Sequence, residues 1–329
     1  MSAFLQFNRT GNPLDVLELQ RRELPAIKPS EARVAMRYAP INPADLNFIE
    51  GNYGRAATPP AIPGHEGCGE VIEIGAAVTS LATGDVVIPL HPGGIWCQHL
   101  TAPEGYFARL PSTVDPVQAS MLRVNPVTAW RLLHDFHDLV EGEWVAQNAA
   151  NSGVGRATIQ IAKKLGLRTL NFVRRPELID ELTALGADAV FLDNDEGVAA
   201  AKEFVGKSAP RLAANAVGGD SAVRLMDLLA PHGSLVTYGA MSRRSLKVPN
   251  KFLTFKDLTL RGLWVSQWFE KANHGEIAEV LRPLTTMMTE GELHIAVAAV
   301  VPLQDFAQAI QLAQNSSRTG KIILDLATA

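Results

Sequence analysis

Residues 144–175, WVAQNAANSGVGRATIQIAKKLGLRTLNFVRR, constrain this chain more than any other stretch. They read as strand, glycine-containing turn, helix and strand, the unit that holds a dinucleotide pyrophosphate. A largely apolar run from Trp144 to Ala149 leads into Asn151-Ser152-Gly153-Val154-Gly155. The following helix places Val154, Ala157, Ile161, Ala162 and Leu165 on one face and stops at Gly166. Its unpaired N–H groups and positive dipole end suit an anionic phosphate. Against the pattern G-x-G-x-x-G, the turn supplies Ala150, Ser152 and Gly155, so only the last glycine fits. A plain strand–helix connection needing small residues is the other reading of the turn. The second strand, Thr169 to Val173, ends in Arg174 and Arg175, where an NAD site carries an acidic group for the ribose hydroxyl. Two guanidinium forks suit a 2′-phosphate, so the expectation is NADP(H), the alternative being a solvated arginine pair.

At 329 residues the chain exceeds one ordinary core and implies two domains. Its 47% hydrophobic content and net charge of −4 describe a soluble globular protein. With no basic block and few aromatic residues, nothing favours nucleic acid. No window of 18 uninterrupted apolar residues is present, so no membrane span is expected. The opening MSAFLQFNRTGN has neither the apolar region of a secretory signal nor an arginine-rich transit pattern. The two cysteines, Cys68 and Cys97, read as buried small hydrophobes, and a cytoplasmic, reducing setting is expected.

The first 115 residues are rich in Pro and Gly, with β-like runs at Ala32–Tyr38, Gly69–Ile74, Asp85–Pro89 and Trp96–Ala102 and little sign of regular helix. Strand and helix then alternate. Strands are expected at Trp144–Asn148, Thr169–Val173, Ala189–Leu192, Leu212–Val217, Ser234–Tyr238 and Leu260–Val265. Helices are expected at Thr128–Phe136, Gly155–Leu165, Pro176–Leu185 and Ser221–Leu229. Six strands with helices between them make a doubly wound parallel sheet. The tail reads as helix (Gly275–Thr289), strand (Val297–Val301), helix (Leu303–Ala313) and strand (Lys321–Leu326). Those last strands have no place in a completed six-strand sheet and should return to the N-terminal β domain. The expected organisation is an α/β fold. An irregular β domain, 1–115 completed by about 268–329, receives an inserted dinucleotide-binding Rossmann domain, 116–267.

GHEGCGEV at 64–71, TGDVV at 83–87, the SGVG turn and GKIIL at 320–324 occur in the order of a known family. The chain resembles the zinc-independent medium-chain dehydrogenase/reductases, whose β domain is GroES-like. IEGNYG at 49–54, VNPVTAWRLL at 124–133, QNAANSGVG at 147–155 and LRGLWVSQW at 260–268 narrow the resemblance to mitochondrial-type trans-2-enoyl-CoA/ACP reductases. The resemblance implies NADPH-dependent reduction of the α,β double bond of 2-enoyl thioesters, with hydride to the β-carbon and a proton to the α-carbon. It implies cofactor contacts at Asn125, at Ser152, Gly153, Val154 and Gly155, and at Arg174 and Arg175. Further contacts fall at Tyr238, Gly239, Ala240 and Met241, at Leu263, Trp264, Val265 and Ser266, and at Lys321. The family commonly separates its two arginines by an acidic residue, whereas Arg174 and Arg175 are adjacent here. A homodimer is implied by analogy, built around the sixth strand.

In zinc-dependent relatives the His65-Glu66 position supplies a metal ligand. The NPADLN segment at 42–47 has no cysteine to partner it, so no metal is expected. Without zinc, another group must stabilise the thioester oxygen and deliver a proton as hydride arrives. Tyr53, one of four tyrosines, sits in a Gly-Asn-Tyr-Gly loop that lets a backbone approach a ligand. The resemblance puts the catalytic tyrosine there. A loop tyrosine with its hydroxyl in water is the alternative. Trp264 is expected to wall the nicotinamide or acyl pocket and Trp268 to pack in the core. His134, Asp135, His137 and Asp138 are expected on one solvated helix face. Arg55, Arg243 and Arg244 are candidates for meeting CoA or acyl carrier protein. Two other activities fit the same motifs: an NADPH:quinone or activated-alkene reductase, and a non-catalytic NADPH-binding protein.

Overall fold

Proline and glycine cut the N-terminal chain into short strands. These are β1 (Ser2–Phe7), β2 (Leu17–Arg22), β3 (Glu31–Pro40), β4 (Cys68–Ile74), β5 (Val86–Pro89), β6 (His99–Pro103) and β7 (Phe107–Arg109). The computed structural model describes residues 1–315 and 319–328. β1 and β2 form an antiparallel pair, with Ser2 opposite Arg22. β3 is the spine of a second sheet, antiparallel to both β4 and β6.

The middle of the chain supplies β8 (Trp144–Gln147), β9 (Arg168–Val173), β10 (Ala189–Leu192), β11 (Leu212–Asn215), β12 (Ser234–Thr237) and β13 (Thr259–Gly262). All pair in parallel, in the order β10-β9-β8-β11-β12-β13. This is the doubly wound order, which reverses beside the first strand and there opens a crevice at the strands' C-terminal ends. Helices Gly153–Lys164, Leu178–Leu185, Asp195–Val205 and Gly219–Leu228 make the crossovers. Trp144, Ala146, Leu170, Phe172, Ala213, Leu225, Met226 and Leu235 form its principal core.

The tail adds β14 (Val297–Pro302) and β15 (Lys321–Asp325). β15 pairs antiparallel with β3, Leu324 opposite Ala39, so the chain's end completes the N-terminal sheet. Phe4, Leu5, Phe7, Val34, Ile49, Trp96, Leu303, Ile310 and Leu324 share one buried core there. Two units result: Met1–Val124 with Ser266–Ala329, and Asn125–Val265. Residues 116–124, read with the nucleotide domain from sequence, thus belong to the first unit.

Several local expectations are corrected. Helix Pro43–Glu50 lies in the region read as nearly helix-free. Asn42 and Asp45 cap it reciprocally, Pro43 starts it and Gly51, at φ +81°, ends it. Helix Asp195–Val205, capped by Asn194 and ended by Gly206, was not anticipated. The strand expected to run to Val265 ends at Gly262, and Val265 begins a helix to Lys271. The strand placed at Trp96–Ala102 begins only at His99. No helix among the described residues is long and apolar enough to cross a membrane.

Candidate active site

In the second unit β8 leads to Ala149, held at φ +47°, and a turn closes as Ser152 N–H donates to the Ala149 carbonyl at 2.8 Å. Ser152 then caps helix Gly153–Lys164, its Oγ accepting from Gly155 N–H at 3.1 Å. A Cβ on Gly155 would lie 2.4 Å from the Ala150 carbonyl oxygen. Only glycine lets the helix pack this closely on the strand. Ala150 and Ser152 stand at the other two fingerprint positions without such a clash, so the one retained glycine is the one sterics demand.

Beneath the turn, buried amides hold the strand ends. Asn148 Nδ2 donates to Asn215 Oδ1 and to Ser221 Oγ, both at 2.8 Å, and its Oδ1 accepts from Ala216 N–H at 2.7 Å. Ser221 Oγ passes the chain to Asp193 at 2.6 Å, and Arg224 Nε closes it on the same carboxylate at 2.8 Å. The Tyr238 hydroxyl is buried without a hydrogen-bond partner among the described residues. Burial raises its proton affinity well above the usual phenol range, and Ser152 is the polar group that faces it.

Ser152 and Tyr238, two of the residues expected to contact the cofactor, are therefore neighbours. Gly239 is half-buried, and Ala240 and Met241 are exposed just beyond β12. Leu263 follows β13, its N–H donating to the Thr237 carbonyl at 3.0 Å. Trp264 is partly exposed, while Val265 and Ser266 are buried at the start of their helix. Asn125 is buried at the first position of helix Asn125–His134. Arg174 is exposed and makes no ion pair among the described residues, whereas Arg175 Nε lies 3.5 Å from Glu177.

The histidine group does not gather. The helix ends at His134, which stacks on Trp130, and Asp135 pairs with Arg131 at 2.5 Å. His137 Nε2 meets Ser234 Oγ at 3.0 Å. Among the carrier candidates, Arg55 pairs with Glu270, and Arg244 lies 3.7 Å from Asp220.

In the first unit, Tyr53 emerges just past the end of helix Pro43–Glu50. Its ring meets the His65 imidazole edge-to-face, with centroids 4.9 Å apart. His65 is buried, and its Nδ1 lies 2.5 Å from Asp45 Oδ1. Beside it Glu66 is fully buried, accepting from Asn42 Nδ2 and from Val124 N–H, both at 2.7 Å. Lys321 is buried and donates to Asn42 Oδ1. Arg123 is also buried: its Nε donates to the Leu90 carbonyl at 2.8 Å and an Nη to the His65 carbonyl at 2.9 Å. Desolvation lowers its pKa to about 10. Trp268 is half-buried, edge-to-face on Phe269 at 4.8 Å.

Sequence reading missed Asn42, Asp45 and Arg123. Asn42 and Asp45 announced themselves as the two ends of a capping box in N-P-A-D. Arg123 is a lone charge within the otherwise apolar run MLRV, a pattern that marks a charge held by partners.

Residues 28–112 match the alcohol dehydrogenase GroES-like domain family, and 153–286 match the zinc-binding dehydrogenase family. The mitochondrial enoyl-[acyl-carrier-protein] reductase of Rattus norvegicus is 41% identical, over 98% of this chain and 88% of its own length. The mitochondrial 2-enoyl thioester reductase heterodimer of Candida tropicalis superimposes with a TM-score of 0.89 at 29% identity, over 98% of this chain and 99% of that one. A quinone oxidoreductase of Pseudomonas syringae gives 0.88 at 27% identity, over 99% and 100%.

Proposed function

Since the chain belongs to the medium-chain dehydrogenase/reductase superfamily, within its mitochondrial-type 2-enoyl thioester reductases, we propose that it reduces the α,β double bond of a 2-enoyl thioester with NADPH. The observation that carries this is 41% identity to an enoyl reductase sustained over 98% of the chain. A related complex, of Etr1p with NADP and crotonyl-CoA, superimposes with a TM-score of 0.90 at 29% identity over 98% of this chain and 99% of that one.

The second unit suits the cofactor. A capped helix start presents N–H groups to a pyrophosphate, the buried Tyr238 hydroxyl faces the capping Ser152, and Arg174 is exposed for a 2′-phosphate. We assign cofactor contacts to Asn125, Ser152–Gly155, Arg174, Arg175, Tyr238–Met241, Leu263–Ser266 and Lys321. When bound, NADPH supplies hydride to the β-carbon. Tyr53 handles the charge that results: its phenol O–H can hydrogen-bond the thioester oxygen and provide the proton for the α-carbon.

The surroundings of His65 do not suit a catalytic zinc, which needs three protein ligands. With Nδ1 engaged by Asp45, His65 has only Nε2 to offer, and both Glu66 oxygens are taken by Asn42 and Val124, so three ligands do not assemble. No group of three or more His, Cys, Asp or Glu among the described residues is placed to hold a metal ion.

A homodimer joined through β13, the edge strand of its sheet, is the proposed assembly, and sedimentation tests it. Acyl carrier protein is proposed as one carrier, read from the relative's name. A reducing compartment is proposed because Cys68 and Cys97 are both free and buried. The curated relatives are named mitochondrial, and we keep the cytoplasm as the reading for fractionation to test.

Initial rates with crotonyl-CoA, a simple quinone and a small enone, each with NADPH and NADH, test the activity. Rapid NADPH oxidation with crotonyl-CoA is expected. Turnover of the quinone or enone with none of crotonyl-CoA or longer enoyl-CoAs would replace this reading by the alternative one.

A further inference from the structure

We propose that Asp45 and His65 act as a positioning pair for Tyr53: the buried carboxylate locks the imidazole on which the phenol ring is seated. This rests on the reading of Tyr53 as the proton donor.

Asp45 is fully buried at the third position of helix Pro43–Glu50. Its Oδ1 accepts the His65 backbone N–H at 2.8 Å and lies 2.5 Å from the ring Nδ1, while Oδ2 accepts from Asn42 N–H at 2.7 Å. One carboxylate oxygen thus fixes both the backbone and the ring of His65. With a carboxylate as its partner, Nδ1 carries the proton, which sets the tautomer and the ring plane. Phe48, from the same helix, meets the imidazole edge-to-face at 5.9 Å and 87°. Tyr53 meets it at 4.9 Å and 74°.

Tyr53 needs such a seat. Its loop is flanked by Gly51, in the left-handed region, and by Gly54, so the backbone has little intrinsic preference. Seating the ring falls to side-chain packing, and edge-to-face contacts at this separation are favourable. The helix that holds Asp45 and Phe48 is also the one whose end launches the Tyr53 loop, so a single element positions both rings. A histidine that supplies a zinc ligand in metal-dependent relatives here carries out a different task.

The test is a double-mutant cycle read as kcat with crotonyl-CoA, alongside NADPH affinity. His65→Gln is expected to lower kcat on the order of tenfold, the scale of a modest misplacement, with NADPH affinity unchanged. In a Tyr53→Phe background it is expected to lower kcat no further, because the hydroxyl it positions is gone. An equal loss in both backgrounds, or no loss when Tyr53 is present, overturns the pair. Tyr53→Phe keeping full turnover instead removes the donor reading itself, and the two failures are distinct. Asp45→Asn runs through the same cycle with a smaller expected loss, and it decides the matter should His65→Gln not fold.

Discussion

Glu66 Oε2 accepts the backbone N–H of Val124 at 2.7 Å, tying a carboxylate next to His65 to the last residue of the first unit's N-terminal stretch. The other Glu66 oxygen takes Asn42 Nδ2, and Asn42 Oδ1 takes the Lys321 ammonium. A chain of carboxylate, amide and ammonium results, buried throughout. Such groups cost free energy to bury unless their bonds are complete.

Burial lifts the Glu66 carboxyl from 4.5 to about 7, against the opposing pull of Lys321, Asn42, the Val124 N–H and Arg123. A folded-state value raised above the unfolded one stabilises fully below pH 4.5, and that contribution is lost as pH rises through about 7. Relative to Glu66→Gln, the parent protein should lose a few kcal/mol over this window. Urea unfolding of both proteins at pH 5 and pH 8 measures it. A gap independent of pH shows that Glu66 does not titrate there.

Gly155→Ala tests the nucleotide turn. The added Cβ meets the Ala150 carbonyl oxygen at 2.4 Å, and backbone cannot swing aside as a flexible side chain can. A loss of about 1–3 kcal/mol of stability is expected, with weakened NADPH binding as the helix start moves. Thermal unfolding and a fluorescence titration read the two effects, and parent-like values in both contradict the packing argument.

Arg174→Ala separates the two adjacent arginines. Arg175 already shares its guanidinium with Glu177 at 3.5 Å, whereas Arg174 is exposed with no ion pair among the described residues. Losing charge-assisted bonds to a phosphate should raise the NADPH dissociation constant by about 10–100-fold. NADH binding should hardly change, and Arg175→Ala should matter less. Calorimetric titration of the four combinations decides; equal losses for both coenzymes disprove a 2′-phosphate role.

Tyr53→Phe keeps the ring seated on His65 and removes only the hydroxyl. We expect kcat with crotonyl-CoA to fall roughly 10²-fold, with NADPH affinity intact. A flat pH–rate comparison at parent turnover excludes the phenol from proton delivery.

The Rossmann strands were legible to within a few residues because strands buried on both faces are short apolar runs between periodic helices. The N-terminal β unit was legible in kind but not in detail. Its helix Pro43–Glu50 is 8 residues, about two turns opened by a capping box, too short to display a period. The histidine cluster misled for a related reason: spacing places residues on one helix face only while the helix lasts, and it ends at His134.

By itself the sequence determined where the backbone turns, which faces are apolar and that the turn before Gly155 is tight, since each is a local property of neighbouring residues. Only the tertiary structure decided which buried polar groups meet: Asn148 with Asn215, Asp45 with His65, Glu66 with Val124. Those partners lie 67, 20 and 58 residues apart. A buried amide or carboxylate is tolerated only when a remote segment arrives to complete its bonds, and no local pattern along the chain records which segment that is.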